Sequence, residues 1–211
     1  MKFGETEINT RCVVLKVLRR EISMERGGKS VFLLGIIADD TAKLRFVSRE
    51  EREELVKDTV VQIENVSVKR WKGLPILYIG KETKIRVIEE SIDPERYAEL
   101  IKPKKRSIGE IIRCGGAFDV SVEGNIVSIT EGGDKNSRTL ILDDGTGAVA
   151  LVLREEREEA IETRIYFGIP VKVRGNVVNV EEGYVLIAEK IEAVVEADII
   201  DGLNSFLSRY T

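Results

Sequence analysis

The single tryptophan of this 211-residue chain lies in the run Lys69-Arg70-Trp71-Lys72. Cations neutralise phosphates and release their counterions, and an indole offers a face on which a base can stack. Three cations around one indole therefore supply both contacts that a single nucleic-acid strand needs. The competing reading is a tryptophan folded back over a barrel mouth, with solvated cations around it. A second set, Lys43, Arg45 and Arg49, shares one parity of a strand in which Leu44 and Phe46 alternate inward. That parity predicts an outer cationic stripe, or else an ordinary solvated strand face. Arg26 and Lys29 flank Gly27-Gly28 and are placed to close over a bound strand.

Other chemistry is excluded or disfavoured. The chain has no histidine, which removes Ser-His and Cys-His catalysis and the commonest general base. Cys12 and Cys114 are too few for a disulfide framework or a zinc site, and read as reduced thiols in apolar surroundings. The acid pairs Asp39-Asp40 and Asp143-Asp144 precede threonines in turns, where carboxylates cap backbone N–H groups. They lack the further oxygen ligands of a calcium loop. No glycine-rich turn continues into Lys-Ser or Lys-Thr, so no P-loop is present. The expectation is a protein without cofactor, metal or enzymatic activity.

The elements that must position these residues come from a repeat. Arg49-Glu50-Glu51-Arg52-Glu53-Glu54 recurs as Arg154-Glu155-Glu156-Arg157-Glu158-Glu159, 105 positions later. Each copy follows an acidic turn and a short apolar strand, so the chain reads as two copies of one small domain. In the first copy, strands are expected over Arg11–Met24, Val31–Ala38, Lys43–Phe46, Val60–Lys69 and Leu74–Gly80, the last extended by Lys84–Ile88. A short helix is expected over Arg49–Val56. The second copy repeats the order, with Phe118–Thr130, Leu140–Leu142, Ala148–Leu153, a helix over Arg154–Ile161, Val171–Val180 and Tyr184–Ala188. Five strands with a helix between the third and fourth is the order of an OB-fold barrel. The fold class is thus mainly β: two tandem OB-fold five-stranded barrels, each followed by an amphipathic helix. Asp93-Pro94-Glu95 starts the first of these helices, Tyr97, Leu100 and Ile101 share one face, and Pro103 stops it. Lys104-Lys105-Arg106 then reads as an exposed linker. Ile199, Ile200, Leu203, Phe206, Leu207 and Tyr210 recur at helical spacing near the C-terminus. The expected domains are 1–92, a helix and basic linker over 93–107, a second barrel over 108–196, and a terminal helix over 197–211.

Charge is unevenly shared. Residues 1–92 carry 18 basic and 15 acidic side chains, whereas residues 108–211 carry 10 and 19. The first half suits a polyanion and the second resists one. The second copy has Ala148, Ala150 and Arg154 where the first has Lys43, Arg45 and Arg49, leaving Arg154 and Arg138 as its candidate contacts. The Glu, Lys and Arg bias, with Gln62 the one glutamine, points to a thermophile. No run approaches a membrane span and Met1–Thr10 is polar, so a soluble intracellular protein with no membrane partner is expected.

The stretch Leu142-Asp143-Asp144-Gly145-Thr146-Gly147-Ala148-Val149 resembles the turn between the second and third strands of replication protein A-type single-stranded DNA-binding proteins, particularly archaeal ones. Ile108-Gly109-Glu110-Ile111 and Phe118–Ile129 are also similar to OB domains of that family, and the resemblance spans about residues 8–200. It implies sequence-nonspecific single-stranded DNA binding in replication, recombination or repair, through the first barrel, in the archaeal cytoplasm or nucleoid. It also implies other subunits of a replication protein A-like complex, or a homo-oligomer, held by the stripe from Ile199 to Tyr210. Family members place Trp or Phe just after the third strand, where this chain has Arg49 and Arg154; a guanidinium stacks less strongly than an indole. Trp71 matches the family's aromatic in the loop between the last two strands, where the second copy has Glu181-Glu182-Gly183. Two other readings stand beside this one: a scaffold subunit with little DNA contact, and an RNA-binding OB protein.

Overall fold

The strands form because apolar and polar residues alternate, and their phase changes where the backbone bulges. In β4 (Val60–Trp71), Val61 and Ile63 face the core, and after Asn65 (φ 57°) the inward phase shifts to Val66 and Val68. The computed structural model describes residues 3–23, 29–131, 138–153 and 165–194. Its first six strands are β1 (Ile8–Ser23), β2 (Lys29–Ala38), β3 (Lys43–Ser48), β4, β5 (Leu74–Ile79) and β6 (Lys84–Ile88). They pair in the order β1-β2-β3-β5-β4-β6, with β3 parallel to β5, and β1 closes on β4. β5 and β6 together make the fifth strand of an OB barrel, interrupted at Gly80–Thr83.

The second barrel repeats the plan with β8 (Ala117–Glu131), β9 (Arg138–Asp143), β10 (Ala148–Leu153), β11 (Pro170–Val180) and β12 (Gly183–Ala193). β10 runs parallel to β12 and β11 closes on β8. Each barrel has its own core, around Phe46, Ile63 and Leu77 in the first and Ile126, Leu151 and Leu186 in the second. Phe46 and Leu151, 2% and 0% exposed, are interior as the strand parity requires. Among the described residues no helix is long and apolar enough to cross a membrane.

Between the barrels, α1 (Pro94–Ile101) starts at Asp93, whose carboxylate accepts from the Arg96 N–H at 3.1 Å. Leu100 is buried, but Ile101 is 49% exposed rather than sharing its face, because the helix ends there. Lys104-Lys105-Arg106 is not a free linker. Lys104–Lys105 is β7, parallel to Val120 and Ser121 of β8, and the Arg106 guanidinium donates to Glu110 at 2.7 Å. A second helix, α2 (Ile108–Cys114), runs from the Ser107 cap to Gly115 at φ 83°.

The expected helix over Arg49–Val56 is a series of bends and turns. Its apolar residues, Leu55 and Val56, are adjacent and cannot form a helical stripe. Leu55 plugs the core while Val56 is 53% exposed. Arg52 donates to the Gly80 carbonyl at 2.7 Å and Arg19 to Glu51 at 2.7 Å, pinning the loop through side chains instead. The matching helix expected over Arg154–Ile161 lies outside the described residues.

Candidate functional site

The hairpin joining β4 and β5 is as tight as a hairpin can be. Trp71 pairs with Leu74 across a two-residue turn, Lys72-Gly73, in which both φ angles are positive, 50° and 77°. That is the turn geometry matching the twist of the flanking strands, cheap for glycine and strained for lysine. Trp71, 44% exposed, thus stands at the last position of β4 rather than in a floppy loop, and Lys69, Arg70 and Lys72 around it are exposed.

Cations and rings alternate at this end of the barrel. The Lys72 ammonium lies 5.4 Å from the Trp71 ring centre and that of Lys69 lies 3.5 Å above Tyr78. The Arg70 guanidinium lies 4.1 Å over Phe3. Alternation puts Lys69 and Trp71 on one face of β4 and Arg70 on the other. Tyr78 and Phe3 were not among the residues picked out by sequence. Tyr78 had a signal: it sits opposite Ser67, one step diagonal to Lys69, in a hairpin already legible. Phe3 had none, since its proximity to Arg70 is purely tertiary.

The proposed stripe of Lys43, Arg45 and Arg49 is corrected by the second barrel. Only Arg49 is exposed. Lys43 is 5% exposed; its ammonium donates to the Ile101 carbonyl at 2.6 Å and pairs with the Asp119 carboxylate. Asp119 also accepts from the Arg174 Nε at 3.0 Å. The Arg45 guanidinium stacks 4.5 Å from the Phe118 ring centre. Parity gave the correct side of β3 but not its cover: the outer face of β3 is where the second barrel docks.

Two glycines allow backbones to meet across the same contact. A Cβ on Gly73 would lie 2.7 Å from the Asn179 carbonyl oxygen, and one on Gly116 3.3 Å from the Pro75 ring and 3.4 Å from the Gly73 carbonyl oxygen. The Asn179 N–H donates to the Gly73 carbonyl at 2.8 Å. A cleft of about 260 Å³ remains between the barrels, lined by Thr10, Cys12, Lys43, Arg106, Cys114 and Phe118 among others. Burial, then nearby Asp39, pushes the Cys12 thiol up to about 12, so it stays neutral. Cys114 instead accepts from Arg106 at 3.3 Å, so its surroundings are not purely apolar.

The acid pairs act as turn caps. Asp39 Oδ1 accepts from the N–H groups of Thr41 and Ala42 at 2.8 and 2.9 Å, and Asp144 Oδ1 from those of Thr146 and Gly147 at 2.9 and 3.2 Å. Asp144 Oδ2 also accepts from the Ile108 N–H at 2.7 Å, tying the start of α2 to the turn. Among the described residues no three His, Cys, Asp or Glu side chains converge as metal ligands. Lys29 and Arg138 open β2 and β9. The side chains of both lie outside the described residues, as do Arg26, Arg154 and the stripe from Ile199 to Tyr210.

No protein family and no curated protein matches this sequence. Solved structures resemble it in fold. Fission yeast Pot1, solved with single-stranded DNA, aligns with a TM-score of 0.53 at 10% identity, over 94% of this chain and 86% of that one. A replication protein A heterotrimer bound to single-stranded DNA aligns at 0.37 and 15% identity, over 99% of this chain and 54% of that one. The OB domain of Ta0387 from Thermoplasma acidophilum aligns at 0.38 and 22% identity, over 44% and 85%.

Proposed function

We propose that this protein binds single-stranded DNA with little sequence preference, at the β4–β5 end of the first barrel, in replication, recombination or repair. The observation that carries the reading is Trp71, held exposed at a rigid two-residue turn among Lys69, Arg70 and Lys72. Among the described residues no carboxylate pairs with those three cations, so their charge is available to phosphates. The strand would be held by cations on phosphates and by a base stacked on Trp71, with exposed Arg49 as a further contact. Lys43 is not a phosphate ligand in this arrangement, because Asp119 already neutralises it.

That same contact favours a second reading, a scaffold subunit of a DNA-binding complex, since part of the first barrel's cationic stripe is spent on the second barrel. Titration with oligo-dT, followed by tryptophan emission at two salt concentrations, separates the two. Salt-sensitive quenching is the expected result. No quenching and no gel shift at low salt would remove direct binding and leave the scaffold. Competition between matched DNA and RNA oligomers tests the choice of nucleic acid.

A further inference from the structure

Of the three cations at the tip, Lys69 and Lys72 meet rings of their own hairpin, at Tyr78 and Trp71. Arg70 meets groups from outside it. Its guanidinium lies 4.1 Å from the Phe3 ring centre, and a Cβ on Gly115 would stand 3.7 Å from its Nη2. It is therefore bounded on one side by the ring of Phe3. On another lies the left-handed glycine, φ 83°, that caps α2 in the second barrel.

Backbone hydrogen bonds fix where that ring stands. The Gly4 N–H donates to the Val68 carbonyl at 3.1 Å, and the Val68 N–H to that of Glu5 at 2.9 Å, which lays this segment along β4. The Phe3 N–H donates to the Cys114 carbonyl at 3.3 Å, so the same segment reaches across to the end of α2. A Cβ on Gly115 would lie 3.0 Å from that of Phe3, and glycine leaves the room. Yet Phe3 is 45% exposed and belongs to none of the buried clusters. Core packing does not explain a ring held so closely and left half in water. What the ring orders is Arg70.

A free arginine gives up side-chain freedom when it takes a phosphate; a stacked one has already lost part of it. Stacking uses the face of the guanidinium and leaves the N–H groups of its rim for two phosphate oxygens. Among the described residues no carboxylate pairs with Arg70. We propose that Phe3 is a positioning residue for nucleic-acid binding: it holds Arg70 ready for a phosphodiester beside the base stacked on Trp71. This rests on the single-stranded DNA reading. The device belongs to the first barrel. Val180 pairs with Gly183 as Trp71 does with Leu74, so Val178 and Asn179 stand where Lys69 and Arg70 do, with no cation.

The test is a double-mutant cycle on the full chain, titrated with oligo-dT at several salt concentrations and read by Trp71 emission. Arg70→Met should flatten the dependence of log K on log salt by about 0.7, the share of one phosphate on a single strand. Phe3→Ala should weaken binding roughly 3–10-fold in the parent and change nothing in the Arg70→Met background. Phe3→Tyr, which keeps a ring, should bind as the parent does. An equal loss from Phe3→Ala in both backgrounds would overturn the proposal, since the ring would then act on a base or on the fold without Arg70. So would an unchanged affinity in Phe3→Ala. A parent chain with no salt-sensitive quenching removes the DNA reading and the proposal together, whereas a parent that binds without this coupling removes the proposal alone.

Discussion

The β4–β5 and β11–β12 turns hold the same place in the two barrels and carry opposite charge. One presents Trp71 and three cations; the other presents Glu181-Glu182 before Gly183. The strands beneath them differ in the same sense, with Lys43 and Arg45 in β3 against Ala148 and Ala150 in β10. A barrel of this kind is indifferent to the chemistry of its tips and outer faces, so a duplicated domain diverges there first while its interior stays apolar. The first barrel's charges have been divided between two tasks: those of β3 face the second barrel, and those of the tip face solvent.

The comparison breaks most severely at the ion pair. Asp119→Ala leaves the Lys43 ammonium buried without its counter-charge and should cost about 3–5 kcal/mol in urea unfolding. Lys43→Met combined with Asp119→Leu should recover most of that loss, while Ala148→Lys, at an exposed position of β10, should change stability by no more than about 0.5 kcal/mol. Next come the turn glycines. Gly73→Ala is expected to destabilise by about 1–3 kcal/mol, from its positive φ and the collision with Asn179. Gly183→Ala meets no atom within 4 Å and should cost less in the same urea unfolding.

A comparable effect is expected on binding rather than folding: Trp71→Ala should weaken oligo-dT binding by about 1–3 kcal/mol with the melting temperature unchanged. Glu181→Lys with Glu182→Lys should strengthen binding at low salt and lose that gain at high salt, measured by titration. Smallest is the turn cap. Burial alone would raise the Asp144 pKa, but hydrogen bonds from Thr146, Ile108 and Gly147 outweigh it and hold the carboxyl below its ordinary value. Its stabilisation is then complete above the usual carboxylate range and disappears as pH falls through the depressed folded-state value. Asp144→Asn should cost about 1 kcal/mol at neutral pH, and the gap to the parent protein should close in acid.

The strand order was legible because short apolar runs, alternating as in β11 or apolar throughout as in β5, are separated by turns rich in Asp, Asn or Gly; the Asp93-Pro94 start of α1 was legible for the same local reason. Helix α2 was missed although Ser107 and Glu110 stand at the spacing of a helix start, because the residues after it, Ile108 to Cys114, read equally well as the approach to a strand. The loop from Arg49 to Thr59 was misread because its Glu and Arg content favours helices while its apolar spacing does not. The burial of Lys43 had no local signal at all: its carboxylate partner lies 76 positions away in another barrel. At the site, the tip residues were legible from composition, whereas their ring partners Phe3 and Tyr78 depended on pairing across strands and on the fold of the chain's start.

That 76-residue separation also has a meaning on the ribosome. At roughly 5–20 residues per second, Asp119 is added about 4–15 s after Lys43. The remaining strands of the first barrel, through Ile88, are made within that interval, while the outer face of β3 is still bathed in water. A hydrated ammonium there is harmless to the nascent barrel, which can close without waiting. The neutralising carboxylate arrives afterwards, together with the surface that excludes the water, so the order of manufacture spares the cell an intermediate with a charge trapped in the dry.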